Sequence, residues 1–167
     1  MSRPGVGDLG EPAADTSFTV TLGLPPSANA TYLTSPDGGR AKTGSAWRFR
    51  DRVRRQLGRA CAVDAEAAAV AELLRHGSWW AVYIDVYVKT PLRRDLDNVL
   101  KPSVDAIAHA LGISDSRLVD IHLSKYLDAQ RPRMIVTVLA LVDWQLDHAE
   151  FLVQPHARGA FRAPAAG

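Results

Sequence analysis

Asp95 and Asp97 stand two residues apart in the run Arg93-Arg94-Asp95-Leu96-Asp97-Asn98-Val99-Leu100-Lys101, with an amide beside them and a lysine four residues on. Carboxylate oxygens suit a hard divalent cation, and Mg2+ commonly reaches a protein through one or two carboxylates plus a substrate phosphate. A strongly alternating segment, Trp79 to Lys89, precedes the run, and a helix-like one, Val99 to Leu111, follows it. A strand-to-helix junction aims side chains at one point and presents unpaired amides and the positive end of a helix dipole to an anion. Taken alone the pair is a weak signal. Two acids at a helix start also complement its dipole, and that structural reading stands ahead until other residues are added.

Three residues shift the balance. Lys101 lies one helical turn from Asp97, where it contacts a phosphate or pairs with the carboxylate. Asn98 adds a neutral donor and acceptor. Asp115 precedes the next strand and would return to the site if that strand pairs beside Trp79–Lys89. Asp120 is the rival third acid, but it shares a side with His122 and Ser124, and Asp115 is preferred. Three converging carboxylates repel one another unless a cation sits between them, so such a cluster implies a metal. Metals bridging a scissile phosphate activate water and neutralise the leaving oxygen. Asp105, one turn beyond Lys101, is read as orienting its ammonium, and Asp85 as facing solvent. His109 and His122 lack metal-ligand spacing.

The elements that must position these groups follow from periodicity. Ser17 to Leu24 alternates as a half-buried strand, and Pro25-Pro26 ends it. The turn-rich stretch to Thr43 reads as a long surface loop. Thr43 or Ser45 caps a helix to about Ala62 with Trp47, Val53, Leu57 and Cys61 as its apolar positions; a second helix, Ala65 to His76, follows a bend near Gly58. In the helix after Asp97, Pro102 belongs in or near the first turn, and Gly112 is its left-handed cap. Leu118 to Leu127 reads as a strand. Met134 to Val142, apolar on both faces, reads as a central one. The order β, α, β, α, β, β describes a single α/β (α+β) domain with a mixed sheet, its last two strands a hairpin. Residues 1–16 read as a disordered leader, 17–142 as the domain and 143–167 as a partly disordered extension with a short helix from Trp144 to Val153.

The chain's 167 residues carry a net charge of only +2, but its distribution is uneven. From Arg40 to Arg59 there are eight basic residues against Asp51 alone. Such a surface attracts polyanions, although a solvated helix face fits it equally well. Among these residues Arg48, Arg52 and Arg55, together with Arg93, Arg94 and Lys125, are the candidate phosphate contacts. The tryptophans Trp47, Trp79 and Trp80 are read as core. The single cysteine, Cys61, excludes an intrachain disulfide and reads as a small buried apolar residue. No apolar run is long enough to span a membrane, and the expectation is a cytoplasmic protein.

At this point the residues resemble a known family. The order strand, Arg-Arg-Asp-Leu-Asp-Asn-x-x-Lys, helix with Asp105, then Ser-Asp-Ser-Arg-Leu-Val-Asp and Lys125 before an Arg-Pro-Arg turn is similar to the RusA family of Holliday-junction resolvases. Leu24-Pro25-Pro26-Ser27, with Asn29 and Tyr32, looks like its N-terminal signature. The likeness covers about residues 17–142; Ala28 stands where the family usually has asparagine, and 64–77 looks like an insertion. The resemblance implies a homodimeric endonuclease, dependent on Mg2+ with Mn2+ as an alternative ion, that nicks opposing strands of four-way DNA junctions. By position Asp95, Asp97 and Asp115 match the family's metal-binding acids, and Lys101 its essential lysine. Two other readings remain open at this stage: a non-catalytic binder of branched DNA, and a nucleotide-sugar transferase holding a metal diphosphate through Asp-x-Asp.

Overall fold

A computed structural model describes residues 17–26, 32–34, 40–90 and 95–142. Strand β1 (Ser17–Leu22) alternates as its sequence requires, burying Phe18 and Leu22. Tyr32–Thr34 and Arg40–Lys42 then pair antiparallel as β2 and β3. The stretch expected as a loop is therefore in part a two-stranded antiparallel ribbon.

Helix α1 (Gly44–Val63) is capped by the Thr43 hydroxyl, which accepts from the Ala46 amide at 3.3 Å. It buries Ala46, Phe49, Val53 and Leu57, one stripe at three- and four-residue steps. Phe49 thus takes the inward place expected of Trp47, which is 53% exposed beneath the Arg50 guanidinium. Nor does the helix break at Gly58. It runs on to Asp64, which ends α1 and caps α2 (Ala65–Arg75), its carboxylate accepting from the Glu66 and Ala67 amides at 2.9 and 3.3 Å. A side chain that satisfies two amides at a helix start defines a break better than a glycine that the helix tolerates. Cys61 is half-buried there, and burial holds its thiol pKa above the ordinary value.

Strand β4 (Trp79–Val88), helix α3 (Leu96–Leu111) and strand β5 (Leu118–Leu127) form a β-α-β unit, with β5 parallel to β4. Strand β6 (Arg133–Leu141) lies on the other side of β4 and antiparallel to it, giving the order β1-β6-β4-β5. The strand read as central is interior. The expected hairpin between the last two strands does not form: the Asp128–Pro132 connection passes the end of β4, tied to it by the Asp128 amide, which donates to the Val88 carbonyl at 3.0 Å.

One sheet face carries the core. Trp80, Val82, Ile84, Val86 and Val88 of β4 and Met134, Val136, Val138 and Ala140 of β6 form one buried cluster with the inward stripes of all three helices. Within it the Ser103 hydroxyl donates to the Val99 carbonyl at 2.7 Å and touches the Met134 sulfur, so α3 seats on β6 with its one buried polar side chain satisfied. The opposite face of the sheet carries no helix among the described residues.

Candidate metal and DNA site

In a β-α-β unit, the link from the first strand to the helix lies at the carboxyl ends of the parallel strands, where α/β sheets bind ligands. Asp95 and Asp97 occupy that link's last residue and the first turn of α3. Asp95 is at the N-cap, a place where an aspartate ordinarily accepts from the next amides, but its side chain makes no capping bond. Asp97 Oδ1 accepts from the Asn98 amide at 2.9 Å. Both acids are exposed. One carboxylate is thus left out of the helix's own bonding, and the other retains its second oxygen.

Lys101 follows one turn later, with Nζ 3.5 Å from Asp105 Oδ1. The lysine is exposed and Asp105 is three-quarters buried. The partly buried carboxylate therefore pairs with an exposed ammonium on the stripe that begins at Asp97, in the orienting relation expected for that pair. Pro102 lies in the second turn, one turn later than expected because α3 begins at Leu96. Having no N–H, it leaves the Asn98 carbonyl without its helical donor beside the acids.

Asp115 is not there. It opens a short 3-10 turn, Asp115–Arg117, beyond the C-terminus of α3. Gly112 ends α3 in the left-handed conformation (φ 71°), as the sequence predicted. Arg75 Nε donates to the Leu111 carbonyl at 3.2 Å, and Trp80 Nε1 to the Ser114 carbonyl at 3.0 Å, fixing this corner beside the start of β4. Because β5 runs parallel to β4 with Leu118 opposite Trp80, Asp115 lies at the amino end of the strands. The 14 residues of α3 that follow Asp97 separate it from Asp115 by about 21 Å at ~1.5 Å per residue. Asp120, the rival acid, faces His122 at 3.2 Å and belongs to the same end. The expected convergence of Asp95, Asp97 and Asp115 within one chain does not occur. No group of three potential ligands from His, Cys, Asp and Glu is found among the described residues.

The basic face is present on α1. Arg48, Arg52 and Arg55 are exposed at four- and three-residue steps, opposite the buried stripe. Arg50 and Arg54 are engaged locally, with Trp47 and Asp51. Arg93 and Arg94 lie outside the described residues, as do Asn29, the leader and the 143–167 extension. Lys125 is exposed on the edge strand β5. No helix among the described residues is long and apolar enough to cross a membrane. One group escaped the sequence reading: Arg133, Tyr87 and Tyr126 lie in register across β6, β4 and β5 on the helix-free face, an alignment invisible until the strand order is known.

Comparison with known proteins bears on the same stretch. No curated protein matches. A bifunctional IspDF from Campylobacter jejuni shares 12% identity over 76% of this chain and 42% of its own length, with a TM-score of 0.23, too low to bear on fold or function. A family model does match: endodeoxyribonuclease RusA, over residues 29–139. That span takes in the Asp95–Lys101 run, the whole of the β-α-β unit that separates it from Asp115, and the basic helix. On that match, the chain belongs to the RusA endodeoxyribonuclease family.

Proposed function

We propose that this protein is a Mg2+-dependent endonuclease that resolves four-way DNA junctions by paired phosphodiester hydrolysis. The observation that carries the reading is the placement of Asp95 and Asp97, one of them an unused N-cap, at the carboxyl ends of parallel strands in a chain of this family. The donor set fits Mg2+, whose protein sites commonly consist of one or two carboxylates with the remaining places left to water and phosphate. When bound, the ion supplies charge neutralisation at the phosphate and Lewis acidity towards water.

The chain's own residues do the rest. Lys101, positioned by Asp105, places a positive charge against the phosphate as negative charge develops on its oxygens. The first turn of α3 offers its amides to the same anion. Arg48, Arg52 and Arg55 grip duplex arms through phosphates, which gives affinity without reading sequence; Arg93, Arg94 and Lys125 are the further proposed contacts. Asp115 can share a metal with Asp95 and Asp97 only if a second copy of the chain brings it there. That requirement supports a homodimer, whose two-fold symmetry also suits a substrate with two cleavage points.

The test is incubation of a synthetic four-way junction with Mg2+ and either the wild type or Asp97→Asn. The wild type should give paired nicks in opposing strands, and the variant none while still binding. A wild type that binds in EDTA and never cuts in Mg2+ would instead be a non-catalytic junction binder, and an Asp97→Asn variant that cuts at the normal rate would refute the site.

A further inference from the structure

The last row of the helix-free sheet face, nearest Asp95 and Asp97, is Arg133–Tyr87–Tyr126. The two tyrosine rings stack, with centroids 5.2 Å apart and planes 24° from parallel. The Arg133 guanidinium sits 4.1 Å from the Tyr87 centroid. It is fixed there by donating to Asp128 Oδ2 at 2.6 Å and to the Arg131 carbonyl at 2.8 Å. The ladder thus runs from an anchored cation through one ring to a second ring on the edge strand. Tyr126 is 47% exposed, and among the described residues no strand lies beyond β5 in the sheet.

From this geometry we propose that Tyr126, backed by Tyr87 and Arg133, is a stacking platform for an unpaired nucleobase at the end of the sheet that carries Asp95 and Asp97. The inference rests on the nuclease reading and adds a base-contacting residue to it. Three observations favour a base as the occupant. The ladder ends at the carboxyl ends of β4 and β5, the end of the sheet that holds Asp95 and Asp97. Exposed Lys89, just past the end of β4, and Arg131, in the β5–β6 connection, lie at the same end of the sheet, against Asp128, so that end complements a phosphate backbone. Finally, a ring on the sheet edge backed by a second ring and an arginine is the combination of stacking and cation–π groups that single-stranded nucleic-acid sites use. At a branch point the occupant would be a base opened from its pair at the crossing, a step that costs a few kcal/mol.

Cross-strand aromatic pairs also stabilise sheets, so the test needs a readout that stability does not move. Binding of a short oligothymidylate and of its abasic counterpart is measured by fluorescence anisotropy, at fixed salt in EDTA, for full-length wild type, Tyr126→Phe and Tyr126→Ala. Wild type and Tyr126→Phe should prefer the base-bearing strand by about tenfold, the value of one base–aromatic stack. Tyr126→Ala should bind both strands equally, at the abasic affinity. Retention of the preference by Tyr126→Ala, or its absence in the wild type, overturns the proposal. So does a Tyr126→Ala chain that changes oligomeric state in light scattering with the preference intact, which would assign the ring to a subunit contact. Junction cleavage by the same wild-type preparation is scored separately. A protein that cuts while Tyr126→Ala keeps the preference loses only the platform, and one that fails to cut loses the nuclease reading whatever the ring does.

Discussion

The separation of Asp115 from the Asp95–Asp97 pair leads to a sharp experiment with two inactivated chains. Two ligands of one Mg2+ lie within about 4 Å of each other, because each Mg–O bond is about 2.1 Å. The 14 helical residues after Asp97 impose about 21 Å, and no side-chain rotation closes that gap. If all three carboxylates serve one metal, each site takes Asp95 and Asp97 from one chain and Asp115 from its partner. Asp97→Asn and Asp115→Asn should then each abolish cleavage alone. Co-expressed with different tags in equal amounts, they should pair randomly, with about half of the dimers mixed. Every mixed dimer has one site missing both residues and one site complete. About a quarter of the wild-type number of sites returns, and because they are never two to a dimer, the product is single nicks rather than paired ones. Gel separation of nicked from resolved junctions, on mixed dimers isolated through both tags, reads this directly. Mixed dimers as inactive as their parents would refute a shared site. A fully active Asp115→Asn chain would remove Asp115 from the chemistry altogether.

Other perturbations test separate parts of the account. Replacing Arg48, Arg52 and Arg55 together by glutamine should weaken junction binding and flatten the dependence of log K on log salt by about 2–3, roughly 0.9 for each lost phosphate contact; an unchanged slope would make these arginines a solvated face only. Gly112→Ala meets no atom within 4 Å, so its cost is the left-handed backbone alone (φ 71°). It should lower stability by about 1 kcal/mol and Tm by about 2–4 °C, and an unchanged Tm by calorimetry would refute that account. The bond from the Arg133 side chain, then that from the Arg131 amide, holds the Asp128 carboxyl below its ordinary pKa. Its contribution to the turn should therefore be present above the unfolded value of about 3.9 and be lost only as pH falls through the lower folded value. A carboxyl resonance titrating at or above 3.9 would contradict this.

What the sequence disclosed, and what it withheld, divides along a physical line. Local patterns were legible. The alternation of Trp80, Val82, Ile84, Val86 and Val88 marked one strand face, and Gly112 marked a helix end, because each is decided by neighbours within a few residues. The α1 stripe was half legible: Val53 and Leu57 face inward as their spacing predicts, whereas Phe49, not Trp47, completes the four-residue step, and Trp47 is left to Arg50. Pairing between distant strands was not legible. The turn signal at Asp128–Pro132 suggested a hairpin, since nothing local reveals that β4 is inserted between β5 and β6. That same insertion decides the fate of Asp115. The condition set for its return was that β5 lie beside β4, and β5 does lie there, but parallel pairing through a helix carries the chain to the opposite end before the strand begins. Adjacency of the strands was therefore the wrong criterion; their relative direction was the right one. A β-α-β unit places its two connections at opposite ends of its strands, so acids in both can meet only across two molecules.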